Sequence, residues 1–235
     1  MTNPHKGHQA PKRTLPIVML NHSKANELNE QFPGRIGLMF GPSRLRPCGE
    51  LPVVLDNDRF SCWSKGKSWD EVAFLEMLDR VQAQTQPQWV VVPDVVGDAV
   101  ATFREWETWE PRLRHRKIPL ALAVQDGMTP DAVRSSCEPD VIFVGGTRQW
   151  KRRTLWNWCR EFPHVHVGRV NYERWLWDAQ RAGAKSTDGT GWFRGDQAQL
   201  AGLLRYLERS HADMGPMQLE MEFAGTFEKG RNDEG

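Results

Sequence analysis

Along the chain, short runs of apolar residues alternate with longer stretches whose apolar positions recur every three or four residues. The short runs fall at 16–20 (PIVML), 35–40 (RIGLMF), 52–56 (PVVLD), 89–94 (WVVVPD), 120–125 (LALAVQ), 140–146 (DVIFVGG), 164–170 (HVHVGRV) and 184–188 (AKSTD). Most are continuous rather than alternating, as expected for strands buried on both faces of a parallel sheet. Between them, 69–84 sets Val72, Leu75, Leu78 and Val81 at helical spacing, and 98–113 opens on an Asp suited to N-capping. The segment 129–133 places Thr before Pro, a helix start, and amphipathic stretches at 148–162 and 196–210 complete the set. Eight candidate strands in βα alternation predict a single α/β domain, a (β/α)8 barrel over residues 15–213. One early unit is irregular: between Phe40 and Pro52 there is no room for a full helix, and Pro42, Pro47 and Gly49 stand there instead. A doubly wound open sheet is the alternative.

Outside that pattern lie a polar arm at 1–14 and a tail at 214–235, both expected to be disordered. The basic start has no apolar segment behind it, so no secretory signal is expected. No apolar run approaches the roughly 20 residues that span a bilayer. Cys48, Cys62, Cys137 and Cys159 are far apart with no CxxC pair, which argues against a zinc knuckle and for reduced thiols in a cytoplasmic chain. The net charge of +1 gives no strong overall attraction to nucleic acid. Basic residues do cluster, at 112–117 (RLRHRK) and 148–153 (RQWKRR), where phosphate contacts compete with solvated helix ends as explanations. Of the 11 tryptophans, Trp63, Trp150 and Trp192 adjoin the strand-end loops and are candidates to stack on a base.

A barrel concentrates its chemistry at the carboxyl ends of its strands. Here those ends carry Asp56, Asn57, Asp94, Gln125, Asp126, Gly145, Gly146, Arg169 and Asp188. Any one such Asp has an ordinary use as a helix cap or turn former. Together on one mouth, Asp56, Asp94 and Asp188 would repel one another and raise some of their pKa values, which stability does not require. Gly145 and Gly146 allow a planar ligand to lie against bare backbone. Gln125 offers both a donor and an acceptor to a nucleobase edge.

Taken in order, these segments resemble the tRNA-guanine transglycosylase family and its phage and bacterial relatives that insert 7-deazaguanines into DNA. VVLDNDRFS (53–61) is similar to the family's segment with an Asp and a nearby aromatic, here Asp56 and Phe60. VVVPDVVGDA (90–99) resembles the segment with the base-reading Asp, LAVQDG (122–127) the family's VQGG, and IFVGGT (142–147) its GG loop. HVGRV (166–170) matches a later strand end bearing Gly168, and KSTDGTGWFRG (185–195) holds the position of the nucleophilic Asp. The resemblance implies a base exchange without a cofactor. Asp188 would attack the anomeric carbon of a guanosine, and Asp56 would move a proton to the leaving base and from the incoming one. Asp94, Gln125, Gly145, Gly146, Phe60 and Gly168 would bind the base. The glycines after Asp188 would let it stand free at the mouth. Arg169, Arg194, Lys151, Arg152, Arg153 and Trp192 would contact nucleic acid, and a free 7-deazaguanine would be the co-substrate.

The tRNA enzymes of that family carry a C-terminal zinc site of three cysteines and a histidine, and nothing after Cys159 is a cysteine here. No metal site is therefore expected, and DNA is favoured over tRNA, with an accessory protein or a second copy of the chain as a possible docking partner. Three rivals remain: an N-glycoside hydrolase on the same barrel, a metal-dependent hydrolase using His164 and His166, and a non-catalytic, Trp-rich nucleic-acid-binding module.

Overall fold

A computed structural model describes residues 15–194 and 197–212; the arm at 1–14 and the tail at 214–235 lie outside the described residues. Eight parallel strands close on themselves in sequence order: β1 (Ile17–Leu20), β2 (Ile36–Phe40), β3 (Val53–Leu55), β4 (Trp89–Val91), β5 (Leu120–Val124), β6 (Val141–Val144), β7 (Val165–Val167) and β8 (Ser186–Asp188). The closing ladder pairs Ile17 with Ser186, Val18 with Thr187 and Met19 with Asp188. The helices are α1 (Ala25–Gln31), α2 (Arg59–Ser64), α3 (Glu71–Gln82), α4 (Ala99–Arg114), α5 (Pro130–Ser136), α6 (Arg148–Glu161), α7 (Glu173–Ala182) and α8 (Gln197–Ala212). This is the (β/α)8 barrel that the alternation predicts. Its one irregular unit lies between β2 and β3, where a 3-10 turn at Pro42–Arg44 replaces a helix and both α2 and α3 follow β3.

Helix starts follow local chemistry. Asp70, Asp98, Thr129 and Thr147 each accept, on a side-chain oxygen, the N–H three residues on, at 3.0, 2.9, 3.2 and 3.3 Å. Such a cap is worth about 1 kcal/mol. Two helices, α1 and α7, are short, at 7 and 10 residues, and bury few side chains. The buried set of α7 is only Trp175, Leu176 and Ala179, too brief a stripe to separate from a connection.

Two packed layers hold the barrel. The outer layer lies between sheet and helices, with Phe74, Leu78, Trp106, Leu155, Trp158, Leu176 and Leu207 among its members. The inner layer fills the barrel with Met19, Met39, Val54, Trp89, Val91, Ala121, Ala123 and Val141, against which Ile17 and Phe143 pack. A side chain at Gly37 would collide with the Met19 sulfur, so bare backbone there makes room for the methionine. Side chains alternate between the two faces of a strand. Inward positions 54, 123, 143 and 186 therefore continue to 56, 125, 145 and 188, which brings Asp56, Gln125, Gly145 and Asp188 to the carboxyl-end mouth.

Candidate active site

A cavity of about 680 Å³ opens at that mouth, and its lining includes Asp56, Asp94, Gln125, Gly145, Gly146 and Asp188. The three acids thus come from stretches separated by most of the chain and meet in one place.

Asp94 lies past the end of β4, beyond Pro93, and is buried. Its Oδ1 accepts from Asn57 Nδ2 at 2.9 Å and its Oδ2 from Gln125 Nε2 at 2.6 Å. Burial raises its pKa, while the Asn57 and Gln125 hydrogen bonds and the Arg59 charge work against that rise. Asn57 is itself fixed, its Nδ2 also reaching Val92 O at 3.0 Å. One N–H of Gln125 is thereby committed to Asp94, and its Oε1 accepts from Gly97 N–H at 3.3 Å. The role implied for Gln125, donation to a base, rests on its remaining N–H.

Asp56 has its pKa pushed up to about 8, first by burial and then by the charges of Asp58, Asp188 and Asp94. Asp58 is pinned nearby, accepting from the backbone N–H and the hydroxyl of Ser43. At neutral pH Asp56 consequently carries a proton, and it faces the cavity.

Asp188 ends β8 with its side chain mostly enclosed. Its Oδ1 accepts from the Arg169 backbone N–H at 2.9 Å and lies 3.2 Å from His166 Nε2. The expectation that loose glycines leave Asp188 standing free is corrected. The segment after it is anchored by Trp192, fully buried in a 3-10 turn at Gly191–Phe193, and by Asn171, whose Oδ1 accepts from Gly191 N–H at 2.9 Å. Arg169 has a φ of 57°, in the region glycine prefers. That turn aims its N–H at Asp188, while its guanidinium lies 4.1 Å from the Phe60 ring centre and donates to Gly146 O at 2.7 Å.

Gly146 also has a positive φ, 68°, and a side chain there would meet the Asp126 carboxylate and the Trp150 ring. Its N–H has no partner among the described residues. Asp126 is occupied, accepting from Thr147 N–H and hydroxyl at 2.5 and 2.6 Å. Gly168 is required by its neighbours, since a side chain would fall 2.7 Å from Phe143.

The cation and aromatic expectations divide. Lys151 is buried rather than on the surface: it lines the cavity and donates to Gly168 O, and burial together with Arg169 lowers its pKa to about 8. Arg152 and Arg153 are exposed but are not part of the cavity lining. Arg194 is exposed beyond it as well. Trp192 is 0% exposed, so it is no stacking surface; its role is to pin the segment behind Asp188. Trp63, 62% exposed, does line the cavity, alongside Phe60 and Tyr172. Arg148, which the resemblance leaves aside, lies at the mouth with its guanidinium 5.0 Å from the Tyr172 ring centre. The run at 112–117 belongs to the end of α4 and is largely neutralised. Arg112 pairs with Glu71, Arg114 with Glu110 and Asp140, and Arg116 with Asp79. Helices run back from the mouth in this fold, so these pairs sit at the opposite end of the barrel.

The resemblance gives His166 no role, yet it is fully buried beneath Asp188. Its signal in the sequence is one polar ring at an inward position of an apolar strand. Among the described residues no group of three or more His, Cys, Asp or Glu is arranged to hold a metal ion, and no helix is long and apolar enough to cross a membrane. No protein-family model matches the chain, and no curated protein matches it.

Proposed function

We propose that the protein exchanges guanine in a nucleic acid, DNA in preference to tRNA, for a 7-deazaguanine base through a covalent Asp188–sugar intermediate. The observation that carries this reading is the division of labour among three carboxyls in one cavity: Asp188 held by donors, Asp56 kept protonated, and Asp94 buried among amides. An acid kept protonated by its surroundings suits a proton carrier, and one held through a single oxygen suits a nucleophile.

In the first step the Asp188 carboxylate bonds to the anomeric carbon as the carbon–nitrogen bond to guanine breaks. The proton on Asp56 passes to the departing base, which leaves neutral. In the second, the incoming base gives its ring N–H proton to the Asp56 carboxylate and attacks the same carbon, releasing Asp188. Two displacements retain the configuration at the sugar. Each Asp94 oxygen keeps a lone pair for the N–H edge of guanine, and the unpartnered Gly146 N–H would donate to its carbonyl. Phe60, Trp63 and Tyr172 offer faces for stacking the base and its neighbours, as a flipped or single-stranded nucleotide requires. The cavity volume falls within the roughly 300–1,000 Å³ usual for such sites.

A hydrolytic second reading, in which water resolves the intermediate, is favoured by one observation: the basic run at 112–117 is paired off and far from the mouth. Parallel assays of labelled guanine incorporation into tRNA, duplex DNA and single-stranded DNA decide between them. Incorporation into DNA, with a covalent adduct that disappears in Asp188→Asn, supports exchange. Release of guanine without incorporation supports hydrolysis, and neither outcome in any of the three substrates rejects both.

A further inference from the structure

Asp188 is held through one oxygen only. Oδ1 takes the Arg169 N–H and faces His166, whereas Oδ2 has no hydrogen-bond partner among the described residues, on a side chain that lines the cavity. Behind it the His166 ring is wedged between Phe143, stacked at 4.9 Å and 22°, and the edge of Trp89 at 4.9 Å. Its Nδ1 lies 2.8 Å from Ser186 Oγ. A carboxylate only accepts, so in the neutral ring the hydrogen belongs on Nε2, and Nδ1 accepts from the Ser186 hydroxyl.

The residue types are those of a nucleophilic serine triad, but the order is reversed. Ser186 is 2% exposed at the closed end inside the barrel, and the carboxylate is at the end that meets the cavity. A serine there has no access to a substrate; Asp188 does.

We infer that His166, braced by Ser186, is a positioning residue that occupies Oδ1 of Asp188 and leaves Oδ2 as the oxygen that bonds to the sugar. This rests on the base-exchange reading given above. The aromatic wedge prevents the imidazole from turning away, so the donor is in place before substrate arrives. When the sugar ester forms on Oδ2, Oδ1 becomes its carbonyl oxygen and keeps both donors. When the incoming base displaces Asp188, the electron pair of the broken carbon–oxygen bond returns to the carboxylate, where the same two donors stabilise the charge.

Three variants separate positioning from packing. His166→Phe keeps the ring and its stacking but removes the donor; His166→Gln restores an N–H donor; Ser186→Ala removes the brace. With a guanine-containing oligonucleotide, single-turnover adduct formation is expected to fall about 10²-fold in His166→Phe, with KM little changed. His166→Gln is expected to recover most of that loss, and Ser186→Ala to fall between the two. Nitrogen-15 spectra of the histidine-labelled wild-type protein, free of substrate, are expected to show His166 protonated on Nε2 and bare on Nδ1. The opposite tautomer, or a His166→Phe protein that forms adduct at the wild-type rate, overturns the assignment while leaving base exchange standing. A wild-type protein that forms no adduct with any nucleic acid overturns the reaction and the role of His166 in it together.

Discussion

Asp56 shows how one residue's surroundings set both its protonation and a cost in stability. Its pKa lies at about 8 in the folded protein against an ordinary 3.8, with burial the largest cause. The folded state therefore holds a proton that the unfolded chain gives up. By linkage, the contribution of Asp56 to stability is fully present below about 3.8 and is lost as pH rises towards about 8. Replacing it with Asn removes that loss. The melting temperature of Asp56→Asn relative to wild type is expected to climb between about pH 4 and pH 8 and then level off, as differential scanning at a series of pH values would reveal. In the proposed reaction the same variant is expected to lose base exchange, because no proton would reach the leaving guanine. In the wild type, the first displacement should slow above about pH 8, where Asp56 loses the proton it donates. A stabilised protein that has lost activity separates a catalytic acid from a structural one.

At the scale of the element, the junction between β6 and α6 concentrates several demands within three residues. Gly145 and Gly146 follow the strand, Thr147 caps the helix, and Asp126 from the preceding strand end clamps the turn. Gly146 must take a positive φ and leave space for both Asp126 and Trp150. Gly146→Ala is expected to cost about 1–3 kcal/mol in denaturant unfolding and to raise KM for the incoming base, because relief of the clash shifts the free N–H. The neighbouring junction, β7 to α7, uses strain differently: Arg169, not a glycine, takes the left-handed turn. Its N–H and its guanidinium then serve two neighbours at once, Asp188 and Gly146. The turn is stable because both partners are held by the barrel.

For the whole molecule, charge is distributed by end. The mouth gathers Arg148, Lys151 and Arg169 around the acids, while Arg112, Arg114 and Arg116 are spent on ion pairs at the far end. If a polynucleotide is the substrate, removing Arg148 or Arg169 should weaken oligonucleotide binding and lower the salt slope by about one each. Arg112→Ala should leave both nearly unchanged. Equal effects at the two ends, measured by titration at several salt concentrations, would reject the mouth as the nucleic-acid surface.

What the linear chain determined by itself was the architecture and the strand ends whose acids meet at the mouth. Strands buried on both faces appear as continuous apolar runs, and period-two alternation carries Asp56, Gln125 and Asp188 inward wherever the strands pair. Those are local consequences of backbone geometry, so they can be read without coordinates. The short face of α7, the burial of Trp192 and Lys151, the neutralised run at 112–117 and the ring of His166 under Asp188 could not be read in this way. Each depends on which residue from a remote stretch arrives alongside. For His166 and Asp188 the closure of β8 against β1 and β7 decides it, and for the run at 112–117 the approach of α3 to α4 does, because only tertiary packing sets which polar atoms face one another.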